Sequence, residues 1–272
     1  RYISYYSALS KYGDPSYYLK SNIVWMAIGW VTFTVFSLVD YHFWGKFAVP
    51  AMGVAFLTLL LIFTPKSLGL AVTINNATRW IRIPGVGITF MPGEITKVAL
   101  ILFVAWFYAS DTSRTKSFLK GHLIVILVAG AAFVLIYKQP NLSTAGIVLL
   151  LALGMMFMAG MAWHWVLLGI GGGAAGFAAL VAVKGGYWLK RITSFWDPFQ
   201  DALGDGYQVS QGLMAFGSGG VLGVGLGKSM QKALYLPECF SDFILPIIGE
   251  EVGFVGVILI LCVYFVLISR GT

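Results

Sequence analysis

Charge is scarce in this chain. Charged residues make up 11% of its 272 residues against 58% hydrophobic ones, and the mean hydropathy is +0.84. A soluble domain carries about 25% charged residues, so a fully water-solvated surface is excluded. Acids are scarcer still, 11 against 18 bases, for a formal charge of +7. No basic tail and no nucleic-acid motif accompanies that excess, which sets nucleic acid aside and leaves lipid phosphates or an anionic substrate to meet it. Cysteine occurs only at Cys239 and Cys262. The second lies about 30 Å further along the last apolar run, so no bridge between them is expected. His42, His122 and His164 are scattered singly near helix ends, which suits interfacial packing and makes poor material for a zinc site.

Long apolar runs are what the sequence has instead. Residues 23–39, 47–64, 98–108, 123–137, 144–161, 165–183 and 243–268 are spaced like membrane helices and joined by polar segments. Some fall short of the ~20 residues a full crossing needs and would tilt or borrow flanking residues. The expectation is an all-α polytopic membrane protein, with seven spans in one integral membrane domain, 1–272. A tyrosine-rich interfacial segment, residues 1–22, leads into the first span.

The polar interruptions are informative. Residues 68–92 are too polar and too broken by glycine and proline to span, and read as a structured external loop in which Arg79 and Arg82 bracket Trp80. On composition those cations suit an aromatic belt. Glu94 and Lys97 are three residues apart on one helix face, where in a buried setting each charge makes the other tolerable. Residues 110–122 hold Arg114, Lys116 and Lys120, a short basic loop of the cytoplasmic kind. The longer loops carry more cations, but long loops cross largely regardless of charge. Gly169 to Gly176, GIGGGAAG, formally fits a dinucleotide pattern; with no strand before it and apolar sequence around it, helix packing is the expected use. Residues 184–242 form the longest non-spanning segment, and its glycine-rich part, Ser218 to Ser229, has neither Walker nor dinucleotide register. It reads as a re-entrant segment packed against the helices.

Acids gather where this segment meets the last apolar run, QKALYLPECFSDFILPIIGEEVG, residues 231–253. Asp242 stands at the mouth of the run, and Glu250 and Glu251 lie about two turns further in, where charge is costly. Two readings of Asp242 stay open on its residues alone. It suits a helix N-cap, or, because Pro246 favours a helix start at itself, a loop acid at the rim of an active site.

Several of these stretches resemble one family. SDFILPIIGEEVGFVG, and the loop from Arg191 through DPFQDALGDGYQ to GLGKSMQKALYLPE, resemble the SEDS proteins (shape, elongation, division and sporulation), the FtsW/RodA/SpoVE family. NNATRW, MPGEITK and KQPNLSTA resemble three further motifs of that family. Met91, Gly93, Asn141 and Ser143 depart from its glutamine, serine, acid and glycine. GDPSYYLK leans towards the FtsW/SpoVE branch. The resemblance implies a ten-helix bundle of which this chain covers the second to eighth helices, incomplete at both ends, with 184–242 as a large extracellular loop before the last helix.

It also implies a chemistry: polymerisation of lipid II into glycan strands. The 4-hydroxyl of one disaccharide attacks the anomeric carbon of another with inversion, and undecaprenyl diphosphate leaves. Asp242 matches the family's catalytic acid and would be the base for that hydroxyl. Arg79, Lys97, Lys138, Lys190, Arg191, Lys228 and Lys232 are the candidate cations for the departing diphosphate, with a divalent cation, Mg or Mn, as the one cofactor in view. Glu238 is a candidate second acid, or a metal holder with Asp242, and Glu94–Lys97 carries over as a structural ion pair. The implied partners are lipid II, membrane lipids and a class B penicillin-binding protein (a transpeptidase). The implied location is the bacterial plasma membrane, with the site outside. Two other functions fit the same helices: a lipid II flippase using Glu94, Glu250 and Glu251 as gates or ion sites, and a non-catalytic scaffold of the division or elongation machinery. Retention of Asp242 favours the enzyme.

Overall fold

The computed structural model describes residues 8–10, 13–64, 70–74, 77–83, 89–183, 185–204, 206–233, 235–237, 239 and 241–271. The chain divides into two compact units, Phe36–Gly176 and Arg1–Val35 with Phe177–Thr272.

Every expected apolar run lies on a helix. In chain order these are α1 (Tyr17–Leu38), α2 (Tyr41–Gly45), α3 (Ala48–Leu61), α4 (Pro92–Ala109), α5 (Leu123–Tyr137), α6 (Leu142–Met158), α7 (Trp163–Val183), α8 (Gly185–Trp196), α9 (Tyr207–Gly219) and α10 (Ile244–Gly271). Among the described residues four are long and apolar enough to cross a membrane: Tyr17–Leu38, Pro92–Ala109, Phe118–Tyr137 and Ile244–Arg270; Ala48–Leu61 and Leu142–Met158 are shorter apolar helices. The protein is a multi-pass membrane protein.

Within Phe36–Gly176, helices α3 to α6 pack around Leu59, Leu100, Val104, Val125, Ile136 and Val148. Small residues sit between them: Ala55, Ala99, Ala129, Ala132, Ala145 and Ala152 are all buried. In hydrocarbon such residues matter because association rests on close packing rather than on exclusion of water. Local sequence sets the helix starts. Pro92 opens α4, where its missing N–H costs nothing, behind an extended Met91. Asn141 caps α6 by accepting from Thr144 N at 3.3 Å, the hydrogen-bonding use left to an amide where the family has an acid.

The all-α expectation needs one amendment. The segment between α3 and α4 contains an antiparallel sheet of three short strands, β1 (Ala71–Ile74), β2 (Ala77–Arg82) and β3 (Thr89–Phe90), in the order β1-β2-β3. Val72 faces Trp80 and Thr73 faces Thr78, with an irregularity between Val72 and Thr73; β-branched and aromatic side chains favour this pairing. The glycine stripe is a second correction. Among the described residues Gly169 alone of the stripe makes a close approach, a Cβ there falling 2.9 Å from Leu153 Cδ1, while a Cβ on Gly171, Gly172, Gly173 or Gly176 would meet nothing within 4 Å.

The short basic loop is built on hydrogen bonds. Asp111 caps a 3-10 turn, Thr112–Lys116, and the Ser113 hydrogen bonds hold its carboxyl below the usual carboxylate value of 3.8. His122 is buried between Tyr108 Oη, 2.8 Å from Nδ1, and Thr115 O, 3.1 Å from Nε2. Its packing role is therefore the expected one. Cys239 and Cys262 do not bridge each other, as anticipated.

In the other unit α10 is interrupted at Gly253 (φ 74°, ψ −173°). An uninterrupted helix would pair Phe254 N with Glu250 O and Val255 N with Glu251 O. Here the glycine-rich segment takes all four groups. Val224 N and Gly225 N donate to Glu250 O and Glu251 O at 2.9 and 3.0 Å, and Phe254 N and Val255 N donate to Gly220 O and Val221 O at 2.9 and 3.2 Å. The segment packs against a helix as expected, and the physical reason is plain. A helix broken in a bilayer must have its freed backbone groups satisfied by protein. Only glycine allows the contact: a Cβ on Gly253 would fall on Gly223 N and Val221 O, and one on Gly223 on Glu251 O.

Candidate active site

The break in α10 creates a buried cradle for the two acids beside it. Glu250 accepts from the Ser229 hydroxyl, from Met230 N at 3.0 Å and from Gln231 N at 3.4 Å. Glu251 accepts from Lys232 Nζ at 2.6 Å, with the two side chains 5% and 4% exposed. Ser229 Oγ also accepts from Lys232 N at 3.2 Å, which joins the two acids into one network. A carboxylate in an apolar interior is costly unless paired and hydrogen-bonded, and both are. Residues 229–232 are thereby fastened to α10.

Asp242 has the opposite setting. It is exposed, in a turn just before α10 begins at Ile244. Among the described residues no hydrogen bond or ion pair engages its carboxylate. The N-cap reading is not the one adopted, since no helix N–H donates to Asp242 among those residues. The loop leading to it is held from α9, where Tyr207 Oη donates to Tyr235 O at 2.7 Å and Gln208 Nε2 to Pro237 O at 3.3 Å. Beneath it Leu236, Cys239 and Ile247 form a small core with Phe243 against them. Among the described residues the acid's oxygens are thus unengaged, and the loop before it is anchored at Tyr235 and Pro237, an arrangement that suits a general base.

The candidate cations separate by burial. Lys190 and Lys228 are exposed, whereas Lys232 is sealed against Glu251 and offers no charge to solvent. The side chain of Arg191 and the whole of Glu238 lie outside the described residues. Among the described residues no three His, Cys, Asp or Glu side chains group so as to hold a metal ion. The expected pair of Glu238 and Asp242 therefore falls partly outside the described residues.

In the Phe36–Gly176 unit, Arg79 on β2 donates through Nε to Gln139 O at 3.3 Å and through Nη2 to Pro140 O. Gln139 in turn donates to Leu59 O at 3.3 Å. Arg79 therefore ties the sheet to the α5–α6 turn beside the exposed Lys138. Lys97 and Glu94 pair at 2.7 Å. The pair forms as expected but is not buried as expected: Glu94 sits in the first turn of α4 with its side chain 57% exposed, and Lys97 is 24% exposed. Gly93 fits closely against Thr144, a Cβ there falling 2.9 Å from Thr144 Cγ2, so the family's serine would need that side chain to move.

Three participants escaped the sequence: Ser229, the buried role of Lys232, and Gln139 as a link from the sheet to α3. The signal for the first two was present. Two adjacent acids deep in an apolar run require donors, and the nearest cations upstream are Lys228 and Lys232.

Comparison with known proteins agrees with this architecture. The FtsW/RodA/SpoVE family model, described as "Cell cycle protein", matches residues 2–272. The chain is 39% identical over 265 residues to a probable peptidoglycan glycosyltransferase FtsW of Geobacter sp. (strain M18), covering 97% of this chain and 70% of that protein. It is 37% identical over 263 residues to stage V sporulation protein E of Bacillus subtilis (strain 168), covering 96% and 70%. Among solved structures, the chain matches one described as structural coordination of polymerization and crosslinking by a peptidoglycan synthase complex, with a TM-score of 0.69 at 22% identity over 99% of this chain and 73% of that one. The rod shape determining protein RodA of Thermus thermophilus matches with a TM-score of 0.55 at 21% identity over 99% and 70%. These two show the fold. With the family model matched from end to end and relatives above a third identical, the chain belongs to the FtsW/RodA/SpoVE family of membrane proteins.

Proposed function

We propose that the chain is a peptidoglycan glycosyltransferase that polymerises lipid II on the outer face of the bacterial plasma membrane. The observation that carries the reading is Asp242, an exposed carboxylate that no described residue engages, on a loop fastened to a buried frame. Asp242 takes the proton from the 4-hydroxyl of the acceptor disaccharide as that oxygen attacks the donor's anomeric carbon from the face opposite the leaving group. The bond from the anomeric carbon to the diphosphate breaks, the diphosphate keeps its electron pair, and configuration inverts. Exposed Lys190 and Lys228 are the described cations of this loop available to the developing negative charge. Relatives bearing the names FtsW and stage V sporulation protein E support division or sporulation as the setting, and the synthase complex supports a class B penicillin-binding protein as partner.

The flippase reading asked Glu94, Glu250 and Glu251 to act as gates or ion sites, and the last two are buried. Their hydrogen-bonding capacity is taken up by Ser229, Lys232 and backbone N–H groups, which supports a structural use instead. The test is to supply lipid II to the full-length protein in liposomes and follow both polymer and lipid movement, with a chelator arm for a divalent cation accompanying the diphosphate. Polymer is the expected product. Lipid movement without polymer would replace the enzyme with the transporter.

A further inference from the structure

The proposed reaction makes no use of the buried Lys232–Glu251 pair, although one of its members was a candidate for binding the substrate. Lys232 precedes Asp242 in the chain and Glu251 follows it, so the 2.6 Å contact closes a loop that contains the acid. Glu250 closes the same loop again through the Ser229 hydroxyl and the Met230 and Gln231 N–H groups. Between these closures and α10, Tyr207 and Gln208 of α9 hold Tyr235 O and Pro237 O. The loop carrying Asp242 is therefore anchored at residues 229–232, at Tyr235 and Pro237, and at α10.

We infer that Lys232 and Glu251, with Ser229 and Glu250 beside them, are positioning residues that hold the Asp242 loop at the distance and angle proton transfer requires. The inference rests on Asp242 being the base. An ion pair with shared hydrogen bonds fixes direction as well as contact, because donors and acceptors must align. An apolar contact of the same volume fills the space without fixing direction. Displacement of a catalytic group by about 1 Å can cost 10²-fold in rate, so loosening the pair falls on turnover rather than on binding. With both side chains nearly sealed, Lys232 reaches no diphosphate.

The experiment measures kcat and KM for lipid II on the full-length protein, with a thermal melt of each variant. Lys232→Met and Glu251→Gln each lower kcat about ten- to a hundredfold while KM stays within about twofold. The double variant Lys232→Met/Glu251→Leu regains thermal stability, since a buried pair replaced by apolar residues is tolerated, yet its kcat stays low. Ser229→Ala keeps both charges and lowers kcat several-fold, which holds the test open if a charge variant fails to fold. Recovery of kcat together with the melting temperature in the double variant overturns the inference, because the pair then only stabilises. A raised KM for Lys232→Met with an unaffected Glu251→Gln also overturns it, because Lys232 then meets the substrate. A wild type that makes no polymer removes the underlying reaction itself, an outcome visible before any variant is made.

Discussion

Lys97 lies 2.7 Å from Glu94 in the Phe36–Gly176 unit, and Lys232 lies 2.6 Å from Glu251 in the other. The side chains of the first pair are 24% and 57% exposed and those of the second 4% and 5%. Contact length does not separate them; surroundings do. An exposed pair is screened by water and is worth about 0–1 kcal/mol, whereas removing one member of a sealed pair strands a charge at about 3–5 kcal/mol. The first pair can be lost with little harm to the fold, and the second cannot. Asp242 completes the contrast: it sits about two turns before the sealed acids along the chain and makes no such bond among the described residues.

The sharpest way to break the contrast is to close the gap in α10. Gly253→Val puts a branched side chain where the backbone has φ 74° and where a Cβ already falls on Gly223 N and Val221 O. Folded protein should be lost, as read by size-exclusion profile and thermal melt; a variant melting within a few degrees of wild type would show that the break is not what frames the cradle. Next comes Glu251→Leu alone, which leaves the Lys232 charge buried and should cost about 3–5 kcal/mol by denaturant unfolding. The smallest effect belongs to Glu94→Gln, expected below about 1 kcal/mol by the same measurement. Equal losses from the two pairs would show that burial does not set their worth.

Much of this was legible in the sequence, for identifiable reasons. Apolar runs such as 123–137 become helices because hydrocarbon leaves the backbone no other partner. The segment 218–229 announced a close backbone approach through its glycines, and Asn141 kept the capping capacity of the acid it replaces. Lys232 was misjudged because a lysine in a polar loop looks solvated, and its partner stands 19 residues on, beside a helix break that periodicity does not show. The sheet of residues 71–90 was hidden by the brevity of its strands, one only two residues long. In the stripe from Gly169 to Gly176 spacing alone suggested a packing face, but among the described residues only a Cβ on Gly169 would meet a neighbour within 4 Å. The burial of Glu94 was overestimated because an acid in the first turn of a helix can face outward without leaving its lysine.

Central to the account is that the free acid performs chemistry and the sealed acids perform architecture. Asp242→Asn in the full-length protein, assayed for polymer from lipid II and for melting temperature in one preparation, tests it most directly. The predicted result is loss of polymer by at least about 10²-fold, the lower end of a general base's contribution, with the melting temperature unmoved. Polymer at the wild-type rate from that variant would contradict it.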